Sequence, residues 1–209
     1  MTEPGDLDPR AYFTQQIPGD FNRMLDEQAA RGEAGSRVCD DMRAVNGTIR
    51  VDVRGADGDA TFFLNIEAGQ MTPGDAPDRP PFLIVIQDAN AFQRLSREAG
   101  GTITALLGAV AGLAGDMRLT RKRMFDMEAV NGLVRFEVTG EKGFSLLSHF
   151  GTAPLPAAPD ATIRMDAETW RALRAGDRDP QSAFLDDDIH TEGDMQKVMQ
   201  LAFAAVAPD

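Results

Sequence analysis

The chain has 209 residues, 43% of them hydrophobic and 26% charged, a globular composition that excludes a disordered polypeptide and suffices for one large domain or two small ones. Asp and Glu number 33 against 21 Lys and Arg; the net charge of −12 repels phosphate backbones and anionic headgroups, so no nucleic acid partner is expected. The single cysteine, Cys39, cannot close an intrachain disulfide, the first twenty residues lack the apolar run of a secretory signal, and residues 102–114 are too few to cross a bilayer. A cytoplasmic protein with no integral membrane segment is therefore expected.

Residues 1–8 are polar and breaker-rich and read as a frayed start. Asp8 before Pro9 reads as an N-cap and first helical position of a short helix with Tyr12 and Phe13 that stops at Ile17-Pro18-Gly19, so residues 1–19 read as an N-terminal arm. Asp20 restarts a helix on which Phe21, Met24, Leu25 and Gln28 share a face, with Gly32 as its stop. Ser36 is expected to cap a third helix carrying Val38, Met42 and Val45.

Ile49, Val51 and Val53 alternate with Arg50, Asp52 and Arg54, the period of a half-buried strand over 47–54. A turn at 56–59 and a returning strand at 61–66 complete a hairpin, and the Pro- and Gly-rich stretch 69–81 reads as a loop. Residues 82–86 are continuously apolar, which implies a central strand covered on both faces. Asp88 then caps a helix with Phe92 and Leu95 inward. Residues 100–114 are small and apolar, and their pattern does not choose between helix and strand. A helix from Asp116 to about Ala129 carries Met117, Met124 and Met127 on one stripe, with Arg118, Arg121, Lys122 and Arg123 largely elsewhere.

The plan then recurs: strands at 133–138 and 144–150 around a turn at 140–143, a Pro-rich loop at 151–160, and a strand at 161–165. Asp166 caps a helix bearing Trp170 and Leu173 that ends at Gly176. Pro180 and Ser182 open a turn of helix with Phe184 and Leu185, residues 188–192 alternate as an edge strand, and a closing helix over 194–206 is expected to turn Met195, Val198, Met199, Ala202 and Val206 inward.

The recurrence is visible in the residues. Residues 42–55 and 127–140 agree at eight of fourteen positions, where chance predicts roughly one. Asp88-Ala89 with Phe92 and Leu95 matches Asp166-Ala167 with Trp170 and Leu173, and Gly115-Asp116-Met117 matches Gly193-Asp194-Met195, both at an offset of 78. The chain thus reads as an internal duplication, with a first unit over 20–126 and a second over 127–209.

Residues 161–203 hold an ordered series: an alternating strand, an Asp-capped helix ending in Leu173-x-x-Gly176, a turn with Pro180, Ala183-Phe184, a strand ending in Gly193-Asp194, and an amphipathic helix. This series resembles the C-terminal half of the sterol carrier protein type 2 family, and the strands between 132 and 150 fit the family's early hairpin. The chain departs from the family in having Asp186-Asp187-Asp188 before the last strand, and its first copy lacks the Leu-x-x-Gly and Pro-x-x-x-x-Phe features.

The resemblance implies an α+β fold, a mixed and mostly antiparallel sheet covered on one side by helices, and a non-enzymatic protein with an apolar tunnel for a sterol, fatty acyl chain or similar lipid. The lining expected on that basis is Phe136, Val138, Leu146, Trp170, Phe184, Met195, Met199 and Phe203, with no cofactor. Methionines on the helices after Gly-Asp are compatible with an adaptable pocket and equally with ordinary core packing. The alternative is an interaction or oligomerisation module with a filled core, paired with itself or with an enzyme of lipid or cofactor metabolism.

Reactive constellations are weak. Ser148 and His149 are strand neighbours pointing to opposite faces, with no nucleophile elbow around them. His190-Thr191-Glu192 lacks the cysteines of a zinc deaminase, and the acidic residues of 186–194 lack calcium-loop spacing, so a solvated acidic edge is expected. Arg118, Arg121, Lys122 and Arg123 could hold a phosphate or form a solvated face beside acidic neighbours. Asn46-Gly47 and Asn131-Gly132 read as helix stops, and Trp170 as an anchor between helix and sheet.

Overall fold

In the computed structural model, which describes residues 7–31, 33–55, 58–98, 118–141 and 143–206, the alternating residues from Ile49 to Arg54 lie in β1 (Gly47–Arg54). It is preceded by α1 (Pro9–Ala11), a π-helical turn (Tyr12–Gln16), α2 (Ile17–Ala30) and α3 (Glu33–Arg43). There follow β2 (Ala60–Glu67), β3 (Gln70–Gly74), β4 (Pro81–Asp88) and α4 (Ala89–Glu98). The second half holds α5 (Arg121–Val130), β5 (Gly132–Thr139), β6 (Phe144–Phe150), β7 (Ala161–Asp166), α6 (Ala167–Ala175), α7 (Pro180–Leu185), β8 (Ile189–Gly193) and α8 (Met195–Val206).

The strands make one eight-stranded sheet in the order β3-β2-β1-β4-β6-β5-β7-β8. β1 with β4 and β5 with β7 are parallel and every other pair is antiparallel, so the fold is α+β with a mixed, mostly antiparallel sheet, as expected. β4, the continuously apolar strand, sits centrally and joins the halves through β6. The two parallel ladders end alike: Arg54 faces Asp88, and Thr139 faces Asp166.

Register carries one face across the whole sheet, through Ile49, Val51 and Val53, then Leu83, Val85 and Gln87, then Phe150, Ser148, Leu146 and Phe144, then Val134, Phe136 and Val138, then Ile163 and Met165. Helices meet this face. Phe13 of the π turn lies 5.2 Å from Phe62, the partner of Val51, and Trp170 of α6 stands edge-on to Phe144 at 5.7 Å. A Cβ at Gly47 would touch Met124 of α5, and one at Gly132 would run into Lys197 of α8. The apolar side chains between form one core cluster from Tyr12 to Ala204. The opposite face is laced with charge: Arg50 donates twice to Asp52 at 2.9 Å, and Arg164 donates to Glu137 at 3.0 Å and Glu192 at 3.1 Å.

Several local expectations are corrected. The first helix does not stop at Ile17-Pro18-Gly19. Pro18 has no N–H and would crowd the carbonyl one turn back, and the π turn, closed by the Ile17 N–H on the Tyr12 carbonyl, widens the helix where Pro18 enters α2. Tyr12, Phe13 and Ile17 consequently lie in the core. α3 begins at Glu33, which places Ser36 inside it and not at its cap. The 69–81 loop contains β3: the Asn22 side chain donates to the Met71 carbonyl at 3.0 Å and accepts from the Met71 N–H at 2.8 Å, so α2 satisfies the outer edge of a strand that contains Pro73. α5 starts at Arg121, because extended Thr120 accepts from the Arg123 N–H and caps it, while residues 118–120 are non-helical. The frayed residues 1–6, the Gly32 stop, the centre of the 56–59 turn, the undecided 100–114 stretch and Gly115-Asp116-Met117 lie outside the described residues.

Candidate apolar ligand site

The structure divides the eight expected lining residues. Phe136, Val138, Leu146 and Trp170 are buried on the helix-covered face, contributed by β5, β6 and α6. Trp170 anchors α6 to the sheet as read from the sequence, with the Arg174 guanidinium 5.9 Å from its ring centre. Phe184 lies on α7, and Met195, Met199 and Phe203 lie four residues apart on α8. These last three are 44%, 42% and 65% exposed, which corrects the inward face assigned to the closing helix. Val198, Leu201 and Ala204, at a spacing of three, are the residues α8 buries, while Met195 and Met199 face outward with exposed Ala202. The side chain of Val206 lies outside the described residues.

The outward stripe of α8 adjoins two open clefts. One, of about 280 Å³, lies between α5 and α8 and is lined by Lys122, Asp126, Ala129, Gln200, Phe203 and Ala204. The other, of about 430 Å³, runs along β8 between Phe184, Ile189 and Thr191 on one side and Arg164, His190 and Glu192 on the other. The Thr191 hydroxyl points at the Met195 sulfur from 3.7 Å and so ties the edge strand to α8, while Asp187 also lines the cleft along β8.

Beneath the helices the core holds polar atoms that the fold does not satisfy. Both amide atoms of Gln87 and the Ser148 hydroxyl are buried without a hydrogen-bond partner, and the Tyr12 hydroxyl is buried beside Ser96. Burial pushes the Tyr12 phenol up to about 12. An unmet buried group of this kind costs about 1–3 kcal/mol, so each calls for a physical reason. Sequence reading passed over Gln87 because it follows the apolar run 82–86. Its alternation with Leu83 and Val85 was the available signal.

Apart from His149, the remaining constellations resolve into ordinary contacts. Ser148 and His149 do stand on opposite faces, Ser148 toward the helices and His149 between Ile84 and Leu133 of the neighbouring strands. His149 is buried, neither ring nitrogen has a partner, and burial holds its pKa below the usual histidine value, with Lys197 adding to the effect and Asp160 opposing it. Arg178 donates to Asp186 and Asp188 at 2.6 Å each, so the acidic run is tied down and not merely solvated. In the basic cluster Lys122 pairs with Asp126, Arg121 with Asp41, and buried Arg123 donates to the Arg118 carbonyl. Asn131 ends α5 in the left-handed region at φ +45°, whereas Asn46 instead accepts from the Ala68 N–H through its side chain. Among the described residues no three His, Cys, Asp or Glu side chains are grouped to hold a metal, and no helix is long and apolar enough to cross a membrane.

The family model described as the SCP-2 sterol transfer family matches residues 122–205. No curated protein matches the chain. Among solved structures the chain is similar to apo sterol carrier protein 2 from Yarrowia lipolytica, at 14% identity over 42% of this chain and 79% of that one, with a TM-score of 0.30. It is similar to a UbiJ-SCP2 ubiquinone synthesis protein at 24% identity over 54% of this chain and 96% of that one, with a TM-score of 0.33. A third likeness is to sterol carrier protein 2 like 2 from Aedes aegypti, at 12% identity over 88% and 98% of the two chains and a TM-score of 0.21. Residues 122–205, which hold β5 to β8 and nearly all of α5 to α8, are the part of the chain that is similar to the SCP-2 sterol transfer family.

Proposed function

We propose that the chain binds an apolar small molecule, a sterol, fatty acyl chain or similar lipid, and shields it without altering it chemically. The observation that carries this reading is where uncovered apolar side chains fall. Among the described residues every large exposed hydrophobic lies beyond residue 124, and five of these seven, Phe184, Leu185, Met195, Met199 and Phe203, are on α7 and α8. A ligand lying along α8 would cover them on the outside; Phe136, Val138, Leu146 and Trp170, buried beneath the helices, would line it only where it passes under α8. Methionine side chains suit a surface that adapts to ligands of different shape. Burial contributes about 0.8 kcal/mol per methylene, so a ten-carbon chain supplies about 8 kcal/mol before association costs.

We also read the chain as two diverged copies of one unit, over 20–126 and 127–209. The equal endings of the two parallel ladders, Arg54 with Asp88 and Thr139 with Asp166, support this.

Native mass spectrometry and lipid extraction of gently purified protein test the binding. The expected result is a lipid held by the folded chain, or uptake of one from a panel of long-chain lipids. Protein recovered empty that takes up none, while self-associating through α8, would support an interaction module instead.

A further inference from the structure

Gln87 and Ser148 come from different halves of the chain and meet where the halves join. Val85 faces Ser148 and Gln87 faces Leu146 across the antiparallel β4–β6 pair, so the two polar residues are diagonal neighbours on the helix-covered face, roughly 7 Å apart. Gln87 is 3% exposed and Ser148 is fully buried, and none of their three polar side-chain atoms has a partner. The residues beside them in the ladders, Val53, Val85, Val134 and Leu146, are all buried and apolar. A carboxamide offers a donor pair and an acceptor, and a hydroxyl offers both, so together they can meet one oxygen-bearing group from two sides.

We propose that Gln87 and Ser148 form a polar anchor at the β4–β6 seam for the neutral hydroxyl or carbonyl head of an otherwise apolar ligand, an inference that rests on the lipid-binding reading above. The head is neutral because neither anchor residue nor its ladder neighbours carries a charge, and an anion buried there would lose its hydration without gaining a counter-charge. The class is thus a long-chain or polycyclic alcohol or ketone, in preference to a fatty-acid anion or a phospholipid headgroup. Gln87 lies outside the family-matched segment 122–205, so the anchor requires the sheet that the two halves build together.

The experiment compares the full chain with Gln87→Met/Ser148→Ala, both near-isosteric, using 1-dodecanol and dodecanoate at pH 8 below their aggregation limits, with native mass spectrometry and calorimetry as readouts. The wild type should bind the alcohol roughly tenfold more tightly than the carboxylate, and the double variant should lose that preference while still binding the alkyl chain. Without ligand, the variant should melt higher by roughly 2–4 °C, because two unmet polar groups have been replaced by apolar ones. An unchanged alcohol preference in the variant would overturn the anchor and leave lipid binding standing, and a wild type that binds neither probe would overturn both. A variant that melts lower without ligand would show the pair to be satisfied within the fold or by buried water, and would overturn the anchor also.

Discussion

Asp88 and Asp166 each end a parallel strand and cap the helix that follows, at the same step of their ladders. Asp88 accepts from the Ala91 N–H at 2.7 Å, and Asp166 accepts from the Thr169 N–H at 2.7 Å and the Glu168 N–H at 2.9 Å. The geometry explains why the same dipeptide, Asp-Ala, occurs in both places: the strand must stop, and the exposed N–H groups of the next helix need an acceptor.

Replacing either cap by alanine should therefore cost about 1 kcal/mol of stability, read as a drop in the urea midpoint with unchanged slope. For Asp166 the loss should depend on pH. The Thr169 backbone N–H foremost, with other donors and Arg171, holds its carboxyl below the usual value near 3.8, against a smaller opposing effect of burial. The unfolded chain takes up the proton first, so the cap's stabilisation is present above pH 4 and fades as the pH falls through the lowered folded value. The difference between wild type and Asp166→Ala should shrink below pH 4, and a constant difference down to pH 2.5 would refute the attribution.

Gly193 should not tolerate alanine. It sits at φ +90°, and a Cβ there would run into the Asp160 carbonyl oxygen and crowd Ala161, where β8 turns into α8. A loss of about 1–3 kcal/mol is expected, with faster hydrogen exchange on β8. Gly176 is also left-handed, at φ +76°, but has open space around its Cβ position, so Gly176→Ala isolates the backbone cost from the clash.

Acid should weaken the fold through His149. Its folded pKa is lowered by burial, so between the unfolded value near 6.5 and that lower value the unfolded state binds more protons and stability falls with pH. Urea midpoints at pH 8 and pH 5.5 should differ for the wild type, and His149→Leu should remove most of the difference. An equal pH dependence in both proteins would place the effect elsewhere.

The two sides of α8 should respond oppositely to substitution. Leu201 is buried, and Leu201→Ala should cost about 2–5 kcal/mol. Met199→Ser and Phe203→Ser, on the exposed stripe, should change stability by less than about 0.5 kcal/mol while reducing lipid uptake. If uptake is unaffected by both serine variants, the stripe is not part of the site.

What the sequence disclosed follows from how much each signal depends on near neighbours. Strands at 47–54 and 144–150, the caps at Asp8, Asp88 and Asp166, and the stop at Gly176 are local, and the structure has them where the residues place them. β3 was hidden because its edge is completed by Asn22, 49 residues away, and a strand containing Pro73 has no period to read. The π turn was hidden because Pro18 signals a break unless a widened turn precedes it. The α8 face was misread because periodicity identifies an apolar stripe without saying whether neighbours cover it. Helical spacing offered two such stripes, Met195-Met199-Phe203 and Val198-Leu201-Ala204, and packing against α5 and β7 selected the second. The joining of both halves through β4 and β6, which sets Gln87 beside Ser148, is a tertiary fact with no local sign.

The most direct test of the account is photolabelling of the full chain with a long-chain alcohol that carries a diazirine at its alkyl end, mapped by peptide mass spectrometry. The account predicts one label per chain, concentrated on Phe184, Met195, Met199 and Phe203 and displaced by excess unlabelled alcohol. Labelling that is not displaceable, or that falls only on exposed sites away from α7 and α8 such as Phe125 and Leu155, would contradict it.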